Sequence, residues 1–162
     1  MSATVRPATP ADGPAIYAAW LAIREHYAAT DTRVLNAPVT ETEFLAGLRD
    51  TIARDTTCAM VAEAEGNVIG FVSGGIELNQ PDRLPEKHAT IGYLYVAPGH
   101  RRRGIGRLLV GALSTWAVGQ EGIAHLEMTV LARDEAAAAF WRSLGFAPFI
   151  ERLWAPLPGT SA

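Results

Sequence analysis

Leu94-Tyr95-Val96-Ala97-Pro98-Gly99-His100-Arg101-Arg102-Arg103-Gly104-Ile105-Gly106-Arg107-Leu108 carries the chain from a strand, through a basic glycine-containing loop, into a helix. Ile91 to Val96 is β-branched and aromatic, the composition of a strand, and Ala97-Pro98-Gly99 stops it because proline cannot donate to a sheet ladder. Beyond the loop Gly99 to Gly106, Leu109, Leu113 and Trp116 recur at i, i+4 and i+7, which predicts a helix with one buried face. The loop therefore ends at a helix N-terminus, whose first N–H groups lack intrahelical partners.

Arg101, Arg102, Arg103 and Arg107 crowd that N-terminus, where the helix dipole disfavours positive charge unless an anion sits among them. Gly104 and Gly106 carry no Cβ, so backbone amides can come within hydrogen-bond reach of phosphate oxygens. The spacing suits a phosphate cradle; a glycine-softened turn with a solvated basic face would have the same spacing.

The 162 residues, 49% hydrophobic and 19% charged, suit one domain with a single core. We expect that domain over residues 1–158, with 159–162 a short disordered tail. A net charge of −3 and a pI near 5.8 make the arginine cluster a local feature, which argues for a discrete anionic ligand and against nucleic-acid or membrane-surface binding. A single cysteine, Cys58, rules out an internal disulfide and a cysteine-based zinc site, and its apolar neighbours suit a buried small hydrophobe. No basic-then-apolar leader opens the sequence, and no apolar run approaches the roughly 20 residues of a membrane span. A cytoplasmic location is expected.

In chain order, Ala3 to Arg6 reads as a strand broken by Pro7, and Thr9-Pro10-Ala11-Asp12 as a capping box that starts a helix. Ile16, Trp20, Ile23 and Tyr27 give that helix a buried face, up to Thr30-Asp31-Thr32. Thr40 and Glu43 repeat the capping pattern for a second helix ending near Arg54. Cys58 to Ala62 and Val68 to Ile76 read as a hairpin around the five-residue loop Glu63 to Asn67. Asn79 to Lys87, with Pro81 and Pro85, reads as an exposed, candidate substrate-side loop before a strand from His88 to Val96. Further strands are expected at His125 to Leu131 and Phe149 to Leu157, around a helix from Asp134 to Leu144 closed by Gly145. The order β-α-α-β-β-β-α-β-α-β makes the His88 and His125 strands parallel neighbours across a helical crossover.

Tyr95-Val96 followed by Arg101-x-x-Gly104-x-Gly106, and then Asp134-x-x-Ala137-x-x-Phe140-Trp141-x-x-x-Gly145-Phe146, resembles the two hallmark segments of the GCN5-related N-acetyltransferases (GNAT), and the element order resembles that family over nearly the whole chain. The resemblance implies an α/β (α+β) GNAT fold: a mixed, mostly antiparallel sheet with a central parallel strand pair splayed to hold the cofactor, flanked by helices. It implies acetyl transfer from acetyl-coenzyme A, by direct attack in a ternary complex, to a primary amine of a small molecule or protein. No metal is implied, and a homodimer is compatible with the family. By similarity, Arg101 and the amides of Arg102, Arg103, Gly104, Ile105, Gly106 and Arg107 hold the coenzyme pyrophosphate. Leu94, Tyr95 and Val96 lie along the pantetheine arm, with the Val96 N–H facing the developing oxyanion, and Asp134, Phe140 and Trp141 complete the cofactor site.

Two departures bear on catalysis. Thr90 and Gly92 stand where many members place a carboxylate or histidine base, leaving His88, at a strand edge where a histidine is usually solvated, as a weak substitute. The tyrosine that often protonates the leaving thiolate is replaced by Trp141, whose indole donates a hydrogen bond but no proton at working pH. Glu127, on a strand interior, could act as a carboxylate base or pair with Arg133 or Arg142. Trp20, Trp116, Tyr27 and Ala136 to Ala139 have core spacing. The alternatives are a non-catalytic coenzyme A or acyl-coenzyme A sensor, and a nucleotide-binding module; the latter lacks the lysine and hydroxyl pair of a P-loop.

Overall fold

Prolines bracket the first elements of the computed structural model, which describes residues 3–159. Strand β1, Thr4–Pro7, ends at its proline, and Pro10–Asp12 makes one 3-10 turn before helix α1, Gly13–Thr30. The Asp12 carboxylate accepts from the Thr9 N–H at 2.8 Å and the Thr9 hydroxyl at 2.9 Å, fixing that entry. Helix α2, Glu41–Ala53, starts at the expected capping box: Thr40 N–H donates to Glu43 at 2.8 Å and Glu43 N–H returns to Thr40 Oγ1 at 3.3 Å.

Strands β2, Thr57–Ala64, and β3, Asn67–Leu78, form the hairpin, but its loop is two residues rather than five. Glu65 and Gly66 both adopt positive φ, 52° and 76°, the geometry whose twist matches the flanking strands, so Glu63, Ala64 and Asn67 join the ladder. Strand β4 is Lys87–Val96, helix α3 Ile105–Val118, strand β5 Leu126–Met128 and helix α4 Glu135–Ser143. The sheet order is β1-β2-β3-β4-β5, antiparallel except for the β4–β5 pair, which is parallel as expected.

Phe149 to Leu157 forms no strand, contrary to expectation. β5 is only three residues long and offers little rail to pair against, and Pro148, Pro156 and Pro158 withhold ladder donors. Phe149, Ile150, Leu153 and Leu157 are all exposed, and the parallel pair stands at the edge of the described sheet rather than at its centre. Gly159 lies in a turn; residues 160–162 of the expected tail fall outside the described residues.

The sheet separates two cores. On one face Ile16, Trp20, Ile23 and Leu48 of α1 and α2 pack on Val61 and Phe71; on the other Leu109, Val110 and Leu113 of α3 and Trp141 of α4 pack on Val72 and Ile91. Trp20, Tyr27 and Trp116 are core residues as expected, while Ala136 and Ala139 face solvent. Among the described residues no helix is long and apolar enough to cross a membrane.

Candidate functional site

The β4 backbone changes partner along its length. Pairing with β5 covers only Ala89, Ile91 and the residue between them, so Gly92 to Val96 run on beyond β5. The Ala97 N–H donates to the Ile69 carbonyl at 2.8 Å, so by antiparallel alternation the polar groups of Tyr95 and Tyr93 face β3 while those of Leu94 and Val96 face the open edge. Their side chains do the reverse: Leu94 and Val96 pack into the α3 core and Tyr95 into the α1 core. The Leu94 peptide groups and the Val96 N–H therefore face an edge that β5 does not cover, while the Val96 carbonyl on that edge accepts from the Arg101 side chain.

A bulge precedes that edge. Val72 pairs with Leu94 and Ser73 with Tyr93, but Gly74 pairs with Ile91, leaving Gly92 as the extra residue. The bulge swings the Thr90 carbonyl toward β3, where a Cβ on Gly74 would lie 2.1 Å from its oxygen and 2.9 Å from Leu113 Cδ1. It also reverses the alternation, so Thr90 and His88 share the α1–α2 face with Ser73 and Tyr93 instead of the face a regular strand would give them.

The loop after β4 enters α3 through two left-handed residues. Gly104, at φ 82°, precedes α3 with open space around it, and Arg102 is also left-handed at φ 62°. Leu108 N–H makes the first helical bond, to Gly104, and among the described residues the amides from Arg102 to Arg107 make no backbone hydrogen bond. The cluster faces solvent, but the arginines divide in role. Arg102 and Arg103 are exposed and unpaired among the described residues. Arg101 Nε donates to the Val96 carbonyl at 2.8 Å, and Arg107 donates to the Ser143 carbonyl at 3.2 Å, tying α3 to α4. Gly106 is small for packing: a Cβ there would sit 3.0 Å from the Phe140 ring.

Other expected site residues lie deeper. Trp141 is buried in the core, edge-on to both Phe140 and Phe146, and is not on the loop surface. Asp134 caps α4 through the Ala137 N–H at 2.9 Å and is itself buried. Its other oxygen lies 2.6 Å from His26 Nε2 on α1. Burial would raise its pKa, but the His26 bond and the Ala137 amide outweigh that and hold it low. Cys58 is buried and its thiol is pushed up to about 11 by desolvation, which leaves it inert as a nucleophile.

His88 is buried rather than solvated, because the parallel strand lays His125 against it. The two rings stack at 5.7 Å, and Glu127 reaches both: Oε1 is 2.9 Å from His125 Nε2 and Oε2 is 3.6 Å from His88 Nε2. Glu127 therefore pairs with histidines and with neither Arg133 nor Arg142. His88 Nδ1 is buried without a hydrogen-bond partner. Glu127 sits opposite Thr90, near the bulge, whereas His88 is about 13 Å of strand from Gly92. His125 was not singled out in the sequence, although its i, i+2 spacing to Glu127 places both on one strand face.

A cavity of 270 Å³ opens beside the bulge, between α1, α2 and the sheet. Phe71, Ser73 and Tyr93 form its strand wall and Ile16, Trp20, Phe44 and Leu48 most of the helical remainder. It was invisible in the sequence because its walls come from four elements.

The acetyltransferase (GNAT) family model matches residues 20–146. The L-2,4-diaminobutyric acid acetyltransferase of Chromohalobacter salexigens is 35% identical over 103 residues, 62% of this chain and 47% of that protein. N-acetyltransferase 8 of Homo sapiens is 33% identical over 90 residues, 56% of this chain and 38% of that one. The matches thus span half or less of these relatives. Among solved structures, a mutant of the BH1408 protein of Bacillus halodurans superposes with TM-score 0.83 at 19% identity, covering 95% of this chain and 99% of that one. The aminoglycoside 6'-N-acetyltransferase AAC(6')-IG of Acinetobacter haemolyticus superposes with TM-score 0.71 at 19% identity, covering 95% and 97%. The aminoglycoside N-acetyltransferase AAC(6')-Iy, solved with CoA, does so with TM-score 0.74 at 16% identity, covering 97% and 95%.

Proposed function

The chain belongs to the acetyltransferase (GNAT) family, and from that premise we propose that it is an N-acetyltransferase that moves an acetyl group from acetyl-coenzyme A to a primary amine. The observation that carries this is the free edge of β4 at Leu94 and Val96, which leads directly into a loop of unpaired amides and lies beside a cavity. The residues fit the cosubstrate. The Arg102 to Arg107 amides, with the exposed Arg102 and Arg103, suit the pyrophosphate; the Leu94 peptide groups and the Val96 N–H suit an amide-rich arm laid alongside as an extra strand. The Val96 N–H, facing the open edge, is the donor for negative charge developing on the thioester oxygen. Direct attack by the amine forms the new C–N bond as the C–S bond breaks, without a metal.

The acceptor's ammonium must lose a proton before its nitrogen can attack, and Glu127, opposite Thr90 and paired with His125 and His88, is the carboxylate assigned to take it. His88, farther along the strand, is a positioning residue behind Glu127 rather than the direct base. Trp141, buried, does not serve as the acid; a thiolate leaves readily enough for water to protonate it. The protein is taken to act in the cytoplasm on a small molecule or protein amine, with neither nucleic acid nor membrane as partner, and its exposed 149–157 segment is compatible with a homodimer.

Thiol release from acetyl-coenzyme A across an amine panel tests the reading. Amine-dependent release, with Glu127→Gln lowering kcat about tenfold to a hundredfold at unchanged coenzyme A affinity, is expected. Coenzyme A binding without any amine-dependent release would instead identify a sensor module.

A further inference from the structure

The cavity beside the bulge has a composition that selects among amines. Resting on the acetyltransferase reading, we propose that its acceptor is a small primary amine with an apolar, aromatic body and no carboxylate. Trp20, Ile16, Leu48 and Phe71 are buried wall residues, and Trp20, Phe44 and Tyr17 form a run of ring contacts at 4.8, 5.2 and 6.0 Å. Such rings favour offset or edge-on packing with another ring. The volume of 270 Å³ falls just below the range of roughly 300–1,000 Å³ that holds drug-sized ligands, which suits one ring on a short chain.

The polar groups are few. Ser73 and Tyr93 sit on the strand wall at the bulge, where the amine would reach the open edge of β4. Glu43 is the single charged side chain of the lining, and Thr51 the remaining hydroxyl. The Thr40 hydroxyl and N–H both donate to Glu43 Oε2, and these two bonds hold its pKa below the usual carboxylate value, so it stays ionised. A negative rim draws an ammonium toward an apolar interior. Among the described residues no lysine, arginine or histidine lines the cavity; Arg24, 4.4 Å over the Trp20 ring, donates to the Ala37 carbonyl. A carboxylate entering with the amine would be buried without a cation beside Glu43, and a polyhydroxylated amine would lose hydrogen bonds to water without replacement.

Gly47 provides the test. It lines the cavity, and a Cβ there meets nothing within 4 Å, so Gly47→Leu adds bulk at the lining without a clash at Cβ. Replacing a mid-helix glycine also favours α2. With the full chain and saturating acetyl-coenzyme A, kcat/KM for phenethylamine should exceed that for phenylalanine, 2,4-diaminobutyrate, kanamycin and a lysine-containing peptide by at least tenfold. Gly47→Leu should raise the phenethylamine KM at least tenfold, leave coenzyme A affinity unchanged and not lower Tm. Higher kcat/KM for any of the polar acceptors, the peptide included, or an unchanged KM in Gly47→Leu, overturns the proposal. Binding of phenethylamine in the presence of coenzyme A, read by titration calorimetry, separates the two readings. Binding that Gly47→Leu abolishes, without turnover, retains the acceptor class and rejects the transferase; no binding rejects the acceptor class.

Discussion

Gly104 and Gly106 are two residues apart and small for different reasons. Gly104 has a left-handed φ and empty surroundings, so it meets no protein atom and is free to approach a ligand, whereas Gly106 makes room for Phe140. Gly104→Asp should therefore leave the fold largely intact, at a cost of about 1 kcal/mol for the left-handed backbone, and weaken coenzyme A binding at least tenfold, about 1.4 kcal/mol, as read by titration calorimetry. Equal affinity in the variant would remove the phosphate cradle. Trp141 behaves oppositely. Its indole is buried between Phe140 and Phe146, so Trp141→Phe should lower stability by about 1–3 kcal/mol in chemical denaturation with little change in the acetyl-coenzyme A KM. Sequence spacing marks both residues as special but cannot separate ligand contact from packing, since it shows neither the empty space around Gly104 nor the ring contacts that bury Trp141.

The elements most legible in the sequence are those with a local chemical signal. The Thr40–Glu43 box, the Asp134 cap and the Pro7 stop each form where their residues require. What the sequence hides is pairing: the bulge at Gly92 depends on Gly74 across the ladder, and Phe149 to Leu157 is apolar enough for a strand but has no rail. Gly74→Ala places a methyl 2.1 Å from the Thr90 carbonyl, with no flexible end to yield, and should cost about 3 kcal/mol or more in chemical denaturation or prevent folding. The β1–α1 junction makes a pH prediction. Arg6 Nη1 and Nη2 reach the two Asp12 oxygens at 2.8 and 2.9 Å, and that hydrogen-bonded pair lowers the Asp12 pKa from 3.8 to about 2 against its burial. A carboxyl depressed on folding stabilises the protein above its unfolded pKa, and that contribution is lost as pH falls through the folded value. Parent stability should thus drop between pH 4 and 2, by on the order of 1 kcal/mol after solvent screening at the half-exposed Arg6. In Arg6→Met, thermal melts should show a smaller drop across the same window.

At the scale of the molecule, the proposed function puts the two ligands on different territory: the open edge of β4 and the α3 loop for the coenzyme, and the α1–α2 face for the acceptor. The loop and the β4 edge both adjoin the α3–α4 core, which holds Val110, Leu113 and Trp141, so coenzyme A bound there is coupled to global unfolding. A ligand that binds the folded state alone, at a hundred times its Kd, stabilises by about 2.7 kcal/mol. At about 2–4 °C per kcal/mol for a chain of this size, Tm should rise by about 5–10 °C. The rise should follow the logarithm of coenzyme A concentration and shrink in Gly104→Asp to the shift its weaker Kd dictates. The same titration with inorganic pyrophosphate isolates the loop, since pyrophosphate engages the amides but not Leu94 and Val96, and should give a smaller rise that Gly104→Asp also reduces. If coenzyme A raises Tm equally in parent and variant, its phosphates are held elsewhere, and the free β4 edge must account for binding alone.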